Sequence, residues 1–369
     1  MDQIWWNHII KARSFFEEIV SETVEGGSIL LSLPDTIPWR NTLIDIVSER
    51  LRVENSKNNL DVIECPDIDP GEYLLEQYCK KEIRATYRYG VSYAKFLGLC
   101  QETVLNDRYL WISNISSKKI DEWINFVSEY QKNVKDKTPG IFILEVHDDI
   151  LVKKNKKGIK GLAFNQSIGA YDKYAFCALA ASQTTCKEYL RPFLAEIVSS
   201  VCGDDVELCA ACVSYGKEFL ESPIAVINKI VQNNYRSDGK KYIFNKNSDD
   251  IEEAVWESQL KYIFPLIEDY RKYFIRKYSN IIKNVLPLTT SYGEKVTCPE
   301  DVELGTLIYM VGKGDLNVSS REYTELERYR NARNKLAHMN LLDIDELNII
   351  LKIGKHTLKE TSYEKSSIN

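Results

Sequence analysis

The stretch YRNARNKLAHMN, residues 329–340, combines an arginine and a histidine whose types and spacing are suited to cutting RNA. When a ribose 2′-hydroxyl attacks the adjacent phosphate, one group must transfer a proton near neutral pH and a cation must stabilise the charge developing on the phosphate oxygens. The imidazole of His338 suits the first role, and the forked guanidinium of Arg333 suits the second. This chemistry requires no metal ion or other cofactor.

The spacing of these side chains limits what one copy of the chain can do. On a continuous helix, Arg333 and His338 are separated by about 7.5 Å of rise and about 140° of rotation, so one helix does not aim both groups at one phosphate. Asn334 and His338, four residues apart, share a face. Two such helices related by a two-fold axis would bring two arginines and two histidines into one cleft, so the spacing favours a homodimer.

Arg333 and His338, with the polar Asn334 directly after the arginine, resemble the R-x4-6-H signature of the HEPN superfamily. The resemblance extends to an all-helical setting over residues 251–369. It implies a metal-independent endoribonuclease that works as a dimer and leaves a 2′,3′-cyclic phosphate. Arg333, Asn334 and His338 would be its catalytic residues.

Basic neighbours make this helix a candidate RNA-facing surface. We predict that Arg330 and Lys335 contact RNA, because phosphate backbones are bound chiefly through such cations. The chain has 48 Lys and Arg against 54 Asp and Glu, a net charge of −6, so the protein as a whole does not attract nucleic acid. Contact with RNA must therefore be confined to a local basic surface. Two other interpretations stay open: structural hydrogen bonding of the Arg–His pair in a dimer seam, and a chance spacing on an ordinary helix.

Capping-box patterns mark where helices around the pair begin. Ser319 with Glu322, and Asp343 with Glu346, each place a short polar side chain three residues before a glutamate. A long helical pattern over residues 251–284 precedes them. The C-terminal third is therefore expected to be all-helical.

Short apolar runs alternating with helical patterns organise the first half of the chain. This alternation predicts a mainly parallel sheet covered by helices on both faces. The runs are residues 28–33, 60–65, 108–113 and 140–146, and a basic turn with one last strand is expected within residues 153–164.

The turn after the first run occupies the position of a phosphate-binding P-loop. A P-loop reads G-x4-G-K-[ST], because glycines let backbone N–H groups close around phosphate. Here Pro34 and Pro38 offer no N–H, and Trp39 fills the space. Arg40 stands where the lysine charge would be, which makes it the candidate nucleotide-binding residue.

The order of elements resembles the P-loop ATPases of the AAA and STAND type, with residues 166–235 in the place of their helical lid. A magnesium-holding aspartate would end a later strand in that family, and this chain has Ser113 and Asn114 there. The resemblance therefore implies a degenerate P-loop-like domain that does not hydrolyse ATP.

Two groups of metal-ligand side chains need a separate interpretation. Glu145, His147 and Asp149 alternate along the end of a strand. There they could hold a divalent ion, or they could simply be charged residues exposed to solvent where the strand ends. Cys209 and Cys212 form a CxxC with Cys202 nearby. A tetrahedral zinc site requires four ligands, and neither a histidine nor a second CxxC lies nearby. Core packing is therefore favoured for these thiols, and no metal site is predicted.

These observations predict a multidomain fold, α/β followed by all-α. The expected parts are a degenerate P-loop-like domain (1–165), a helical lid-like segment (166–235), a polar linker (236–250) and a HEPN-like helical bundle (251–369). No apolar run approaches the roughly 20 residues that span a bilayer. The N-terminus reads as an amphipathic helix rather than a signal peptide, so we expect a cytoplasmic protein.

The function expected from this organisation is RNA cleavage controlled by the N-terminal domain, as in bacterial toxin or phage-defence systems that the resemblance implies. The alternative is a non-catalytic adaptor whose helical module dimerises or binds RNA while the degenerate domain docks a partner protein. A third interpretation is a nucleotide-responsive switch that uses Arg40.

Overall fold

The computed structural model describes residues 1–56, 59–100, 105–135, 138–147, 158–164, 169–203, 205–289 and 293–352. The chain forms two compact units. The sheet unit contains residues 1–176 with 237–240, and the helical unit contains residues 177–236 with 241–369. The predicted domain boundaries at 165, 235 and 250 stay predictions.

A five-stranded parallel sheet forms the centre of the sheet unit, in the order β2-β3-β4-β1-β5. The strands are β1 (Ser28–Leu33), β2 (Asn59–Glu64), β3 (Arg108–Ile115), β4 (Ile141–His147) and β5 (Ile159–Ala163). Every residue of β1 is buried, whereas β2 at the sheet edge is largely exposed. The mainly parallel sheet predicted from the apolar runs is confirmed.

Helices supply the layers that bury these strands. They are α1 (Asp2–His8), α2 (Ile10–Val24), α3 (Arg40–Glu54), α4 (Pro70–Tyr78), α5 (Lys81–Arg84), α6 (Tyr93–Leu99) and α7 (Ile120–Asn133). Leu30, Leu110 and Leu144 join residues of α4, α6 and α7 in one core cluster. Alternation along each strand turns their neighbours toward the opposite face, where α2 packs on β1 and α3.

The helical unit is built from packed helices with one short antiparallel strand pair. The elements after β5 are α8 (Ala170–Ser182), α9 (Arg191–Cys202), α10 (Val206–Ser214), α11 (Lys217–Glu221), α12 (Pro223–Asn233), α13 (Ser248–Lys277), α14 (Ser279–Val285), β6 (Leu288–Thr289), β7 (Lys295–Val296), α15 (Leu304–Lys313) and α16 (Ser320–Ala337). Residues 344–352 are helical as well. Both α9 and α16 pack on α13, and α15 packs on α16.

Side-chain caps fix where the long helices start. Asn247 and Asp250 form a reciprocal capping box at α13, and Ser319 and Glu322 form the predicted one at α16. Helix α13 ends at Lys277 rather than continuing to residue 284. Among the described residues, no helix is long and apolar enough to cross a membrane.

Candidate functional site

Helix α16 is held by one apolar face. Leu326, Tyr329 and Leu336 are buried along it at helical spacing. The Tyr329 ring stacks on that of Tyr270 in α13, with centroids 3.9 Å apart and planes 9° from parallel. This face fixes the rotation of α16 and leaves its other side to solvent.

The first turn of α16 is tied to the end of α13. The carboxylate of Glu322 accepts hydrogen bonds from Lys277 (2.6 Å), Tyr278 (2.8 Å) and the Ser319 hydroxyl (2.6 Å). Partial burial raises the pKa of Glu322, but the bonds from Lys277, Ser319 and Tyr278 outweigh it and lower the pKa to about 2. The sequence predicted the cap but not this contact with α13.

The last turn of α16 ends in a Schellman motif. The helix stops at Ala337, so His338 is its C-cap residue rather than an interior one. The amide of Asn340 donates to the Lys335 carbonyl at 2.9 Å, and that of Met339 donates to the Leu336 carbonyl at 3.2 Å. The rotation estimated for a continuous helix through His338 is thereby corrected, because the chain leaves the helix at this residue.

Two side chains of α13 hold this helix end in place. The indole of Trp256 donates to the Leu336 carbonyl at 2.9 Å. The buried amide of Gln259 donates to the Leu342 carbonyl at 3.0 Å and accepts from the Leu342 amide at 2.8 Å. The backbone is therefore anchored on both sides of His338.

The three predicted catalytic residues lie at the solvent-facing side of this anchored end. Asn334 and His338 are exposed, and Arg333 is partly exposed. The Arg333 guanidinium reaches Glu303 at 3.7 Å, in an ion pair whose two side chains are 41% and 61% exposed. An ion pair this long and this exposed contributes little stability, so a phosphate can replace its carboxylate.

The two predicted RNA-binding residues differ in their surroundings. The ammonium of Lys335 donates to Glu346 at 2.6 Å, which offsets its charge within the chain. The guanidinium of Arg330 donates to the side-chain amide oxygen of Asn331 at 2.9 Å. Because that partner is uncharged, Arg330 keeps a positive charge to offer to an anion.

The sheet unit has a crevice position where α/β folds usually bind ligands. The chain leaves β1 toward β2 and leaves β4 in the opposite direction toward β5, so the carboxyl ends of β1 and β4 form a topological switch point. Here side chains of the sheet unit itself lie at this position. Trp39 is the N-cap residue of α3 and has a positive φ of 46°. Its ring packs on that of Phe176, with centroids 5.8 Å apart.

The guanidinium of Arg40 is also engaged at this position. It donates to both carboxylate oxygens of Glu145, at 2.9 and 2.6 Å, and the Trp111 indole donates to the same carboxylate at 2.6 Å. Glu145 is only 4% exposed. The candidate nucleotide-binding residue thus neutralises a buried carboxylate on the neighbouring strand.

The side chains considered for a metal are separated by these pairings. His147 lies 2.8 Å from Asp35, Glu145 faces Arg40, and Asp149 lies outside the described residues. At the end of β3, the Ser113 hydroxyl donates to Glu64 at 2.9 Å. Within the described ranges, no group of three His, Cys, Asp or Glu residues is placed to hold a metal ion.

The helical unit gathers thiols in its core. Cys202, Cys209 and Cys212 are buried, as core packing predicted, and the sulfurs of Cys202 and Cys212 lie 3.5 Å apart. The structure adds Cys177 of α8, and a hydrogen bond with Cys209 together with burial raises its pKa. A raised pKa keeps the Cys177 thiol protonated and poorly nucleophilic.

A buried ion-pair cluster near α10 was missed in the sequence. Arg236, at the start of the predicted linker, donates to Asp205 at 2.5 Å and lies 3.5 Å from Glu207. All three residues are buried. Nothing in the local sequence pairs Arg236 with carboxylates about 30 residues earlier, because a polar stretch rich in turn residues reads as exposed.

Comparisons with known proteins give no family. No model of a protein family matches the chain, and no curated protein sequence matches it at a significant level. The chain is similar to two solved structures of the Aeropyrum pernix ORC2 protein, described as ADPNP-ADP complexes and as the ADP form. Identity is 12% to both, the TM-scores are 0.31 and 0.34, and the matches cover 95% and 94% of this chain and 93% of each ORC2 chain.

Proposed function

We propose that this protein is a metal-independent endoribonuclease of the HEPN type, with Arg333, Asn334 and His338 at its active centre. The observation that carries the proposal is the anchoring of the end of α16. Trp256 and Gln259 fix the backbone on either side of His338, and its imidazole remains exposed to solvent. A general acid–base must be held in place and still be reachable by substrate, and this arrangement meets both needs.

Each side chain has a role that follows from its chemistry. His338 removes the proton from the attacking 2′-hydroxyl and, once protonated, gives a proton to the departing 5′-oxygen. Arg333 exchanges its exposed partner Glu303 for the scissile phosphate and stabilises the charge of the transition state. Asn334, exposed one turn before His338, donates its amide to a phosphate oxygen.

The sheet unit then acts as a controlling domain that does not hydrolyse nucleotide. Arg40, which would supply the charge of a P-loop lysine, is paired with Glu145, and Pro34 and Pro38 offer no N–H groups to phosphates. Addition of ATP or GTP should leave the melting temperature of the protein unchanged. A ligand at 100 times its Kd would add about 2.7 kcal/mol to the free energy of unfolding, which would contradict this part of the proposal.

Cleavage of labelled RNA in EDTA tests the ribonuclease. We expect the wild type to cut, and Arg333→Ala and His338→Ala each to lose at least about 100-fold in rate, the usual contribution of one acid–base or electrostatic group. Arg321→Ala and His8→Ala are matched controls, because both side chains are exposed, Arg321 lies in the first turn of α16 and His8 belongs to the sheet unit. Equal rates in all five proteins would show a contaminant and overturn the proposal.

Mixed dimers test whether two copies share one site. When Arg333→Ala and His338→Ala chains are co-expressed with different tags and purified together, each dimer retains one arginine and one histidine on different copies. Recovery of activity above that of either variant alone supports a shared cleft. Its absence, with a dimer present, contradicts the shared arrangement.

The alternative is an adaptor in which the helical unit dimerises or binds RNA without cutting it. The ion pair of Lys335 with Glu346 favours the dimerising form of this alternative, since it removes one predicted RNA contact. An adaptor would leave RNA uncleaved in the same assay. Toxin or phage-defence activity would follow from cleavage of RNA.

A further inference from the structure

The sheet unit carries a strongly basic surface segment, residues 80–95, far along the chain from α16. It contains five cations and one carboxylate, a charge of 5 − 1 = +4 in a chain whose net charge is −6. The cations are Lys80, Lys81, Arg84, Arg88 and Lys95. None of them forms an ion pair with any residue the structure describes, so their charges are not neutralised there.

Tyrosines give this basic segment a fixed shape. Tyr87 and Tyr93 stack with centroids 4.6 Å apart and planes 12° from parallel, and both pack against the core of the unit. The Tyr87 hydroxyl donates to the Val91 carbonyl at 2.9 Å, which closes the loop between them. The segment is therefore an ordered surface feature.

One tyrosine is presented outward by that loop. Residues 88–91 form a turn in which the Val91 amide donates to the Arg88 carbonyl at 3.3 Å. Gly90, at a φ of +103°, supplies the positive dihedral that the third position of such a turn requires. Tyr89, at the second position, projects fully into solvent. Among the residues that the structure describes, none packs on its ring in a way that accounts for an aromatic side chain here.

Cations and a projecting aromatic ring on one short surface segment match the chemistry of single-stranded nucleic acid. Phosphates pair with Lys and Arg, and an unpaired base stacks on the ring with about 1–3 kcal/mol per base. A duplex offers its phosphates but keeps its bases stacked inside. A lipid surface would need several exposed apolar side chains, and within residues 80–95 Val91 is the one exposed large apolar side chain besides Tyr89.

We propose that the basic segment binds single-stranded RNA, with Tyr89 stacking on a base and Lys81, Arg84 and Arg88 contacting phosphates. This site goes beyond the proposed ribonuclease and does not depend on it, because binding requires no cleavage. Glu129 accepts a hydrogen bond from Ser92 and so places a carboxylate next to the Tyr93 end of the segment. Because a carboxylate repels phosphates, the RNA strand is expected to run along residues 80–89 instead.

Binding of labelled oligouridylate of about 20 nucleotides, longer than the ~4–16 nucleotides typical of one such surface, tests the proposal. The measurement uses the full chain carrying His338→Ala, so that cleavage does not consume the probe. We expect Tyr89→Ala to weaken binding by about tenfold and Tyr89→Phe to retain it. Replacing Lys81 or Arg88 with Ala should each reduce the slope of log affinity against log salt by about 0.7.

Each remaining outcome is decisive. Similar binding of oligodeoxythymidylate supports the site, since a ring and cations do not read the 2′-hydroxyl. The proposal is overturned if Tyr89→Ala binds as tightly as Tyr89→Phe, if an RNA duplex binds more tightly than the single strand, or if only anionic lipid vesicles bind. Circular dichroism of Tyr89→Ala should match the parent, because this side chain has no packing to lose.

Discussion

The side-chain amide of Gln259 and the backbone of Leu342 hydrogen-bond to each other in both directions, at 3.0 and 2.8 Å. Gln259 is 2% exposed and belongs to α13, whereas Leu342 follows the turn that ends α16. This pair gives the turn at His338 a fixed position, because it satisfies both polar groups of one backbone residue. The proposed chemistry depends on that anchoring.

Replacement of Gln259 by Ala should therefore be costly. It leaves the amide and carbonyl of Leu342 without a partner in a buried place and opens a cavity, so we expect a loss of about 2–4 kcal/mol in the free energy of unfolding. Urea unfolding followed by circular dichroism measures it. Ser258→Ala is the neighbouring buried control and loses only a hydroxyl bond to the Ala254 carbonyl. A cost for Gln259→Ala no greater than for Ser258→Ala would contradict the anchoring role.

Replacement of Met339 by Gly should stabilise the protein. Met339 has a φ of +59°, a conformation that glycine adopts without strain, and its side chain is 69% exposed and has little packing to lose. We expect a gain of about 0.5–1 kcal/mol in the free energy of unfolding. Met339→Ala, which keeps the Cβ, should show no such gain. A destabilised Gly variant would mean that the Met339 side chain is needed.

Glu322 should make stability depend on pH. Its pKa is lowered to about 2 in the folded chain, so its contribution is present above the unfolded pKa of about 4.3 and is lost as pH falls toward 2. We expect Glu322→Gln to cost about 1 kcal/mol at neutral pH, with the difference from wild type shrinking between pH 5 and 2. Unfolding both proteins across this range isolates the group, and a constant difference would contradict the lowered pKa.

Replacement of Arg40 by Ala should destabilise the sheet unit. It leaves the buried carboxylate of Glu145 with the Trp111 indole as its one remaining partner among the described residues, and breaking such a pair costs about 3–5 kcal/mol. The double variant Arg40→Met with Glu145→Leu should recover most of that loss. Tryptophan fluorescence in urea gives both values. A mild effect of Arg40→Ala would show that its guanidinium is free for another ligand.

The strands could be predicted because their residues carry the signal locally. The run 28–33 coincides with β1, and the run 140–146 differs from β4 by one residue at each end. Strands buried on both faces are mostly apolar, so their ends show in composition alone. The start of α16 could be predicted equally well, since its capping box lies within four consecutive residues.

Pairings between distant residues could not be predicted. Arg40 and Glu145 are 105 residues apart. From the sequence, Arg40 was the candidate nucleotide-binding residue, and Glu145 was either a possible ligand of a divalent ion or an exposed residue at the end of a strand. The end of α16 was also hidden, because the usual glycine after a helix is absent and Met339 takes its conformation. The exposed Tyr89 gave no periodic signal either, since a single turn residue has none.

The chemical ends of the RNA products test the central claim most directly. Wild-type protein in EDTA should leave 2′,3′-cyclic phosphates, identified by mass, and an RNA with 2′-deoxyribose at the cleaved position should resist. Both results follow if His338 activates the 2′-hydroxyl and Arg333 stabilises the phosphate. Products ending in 3′-hydroxyl and 5′-phosphate, or unchanged cutting of the deoxy-substituted RNA, would contradict the account.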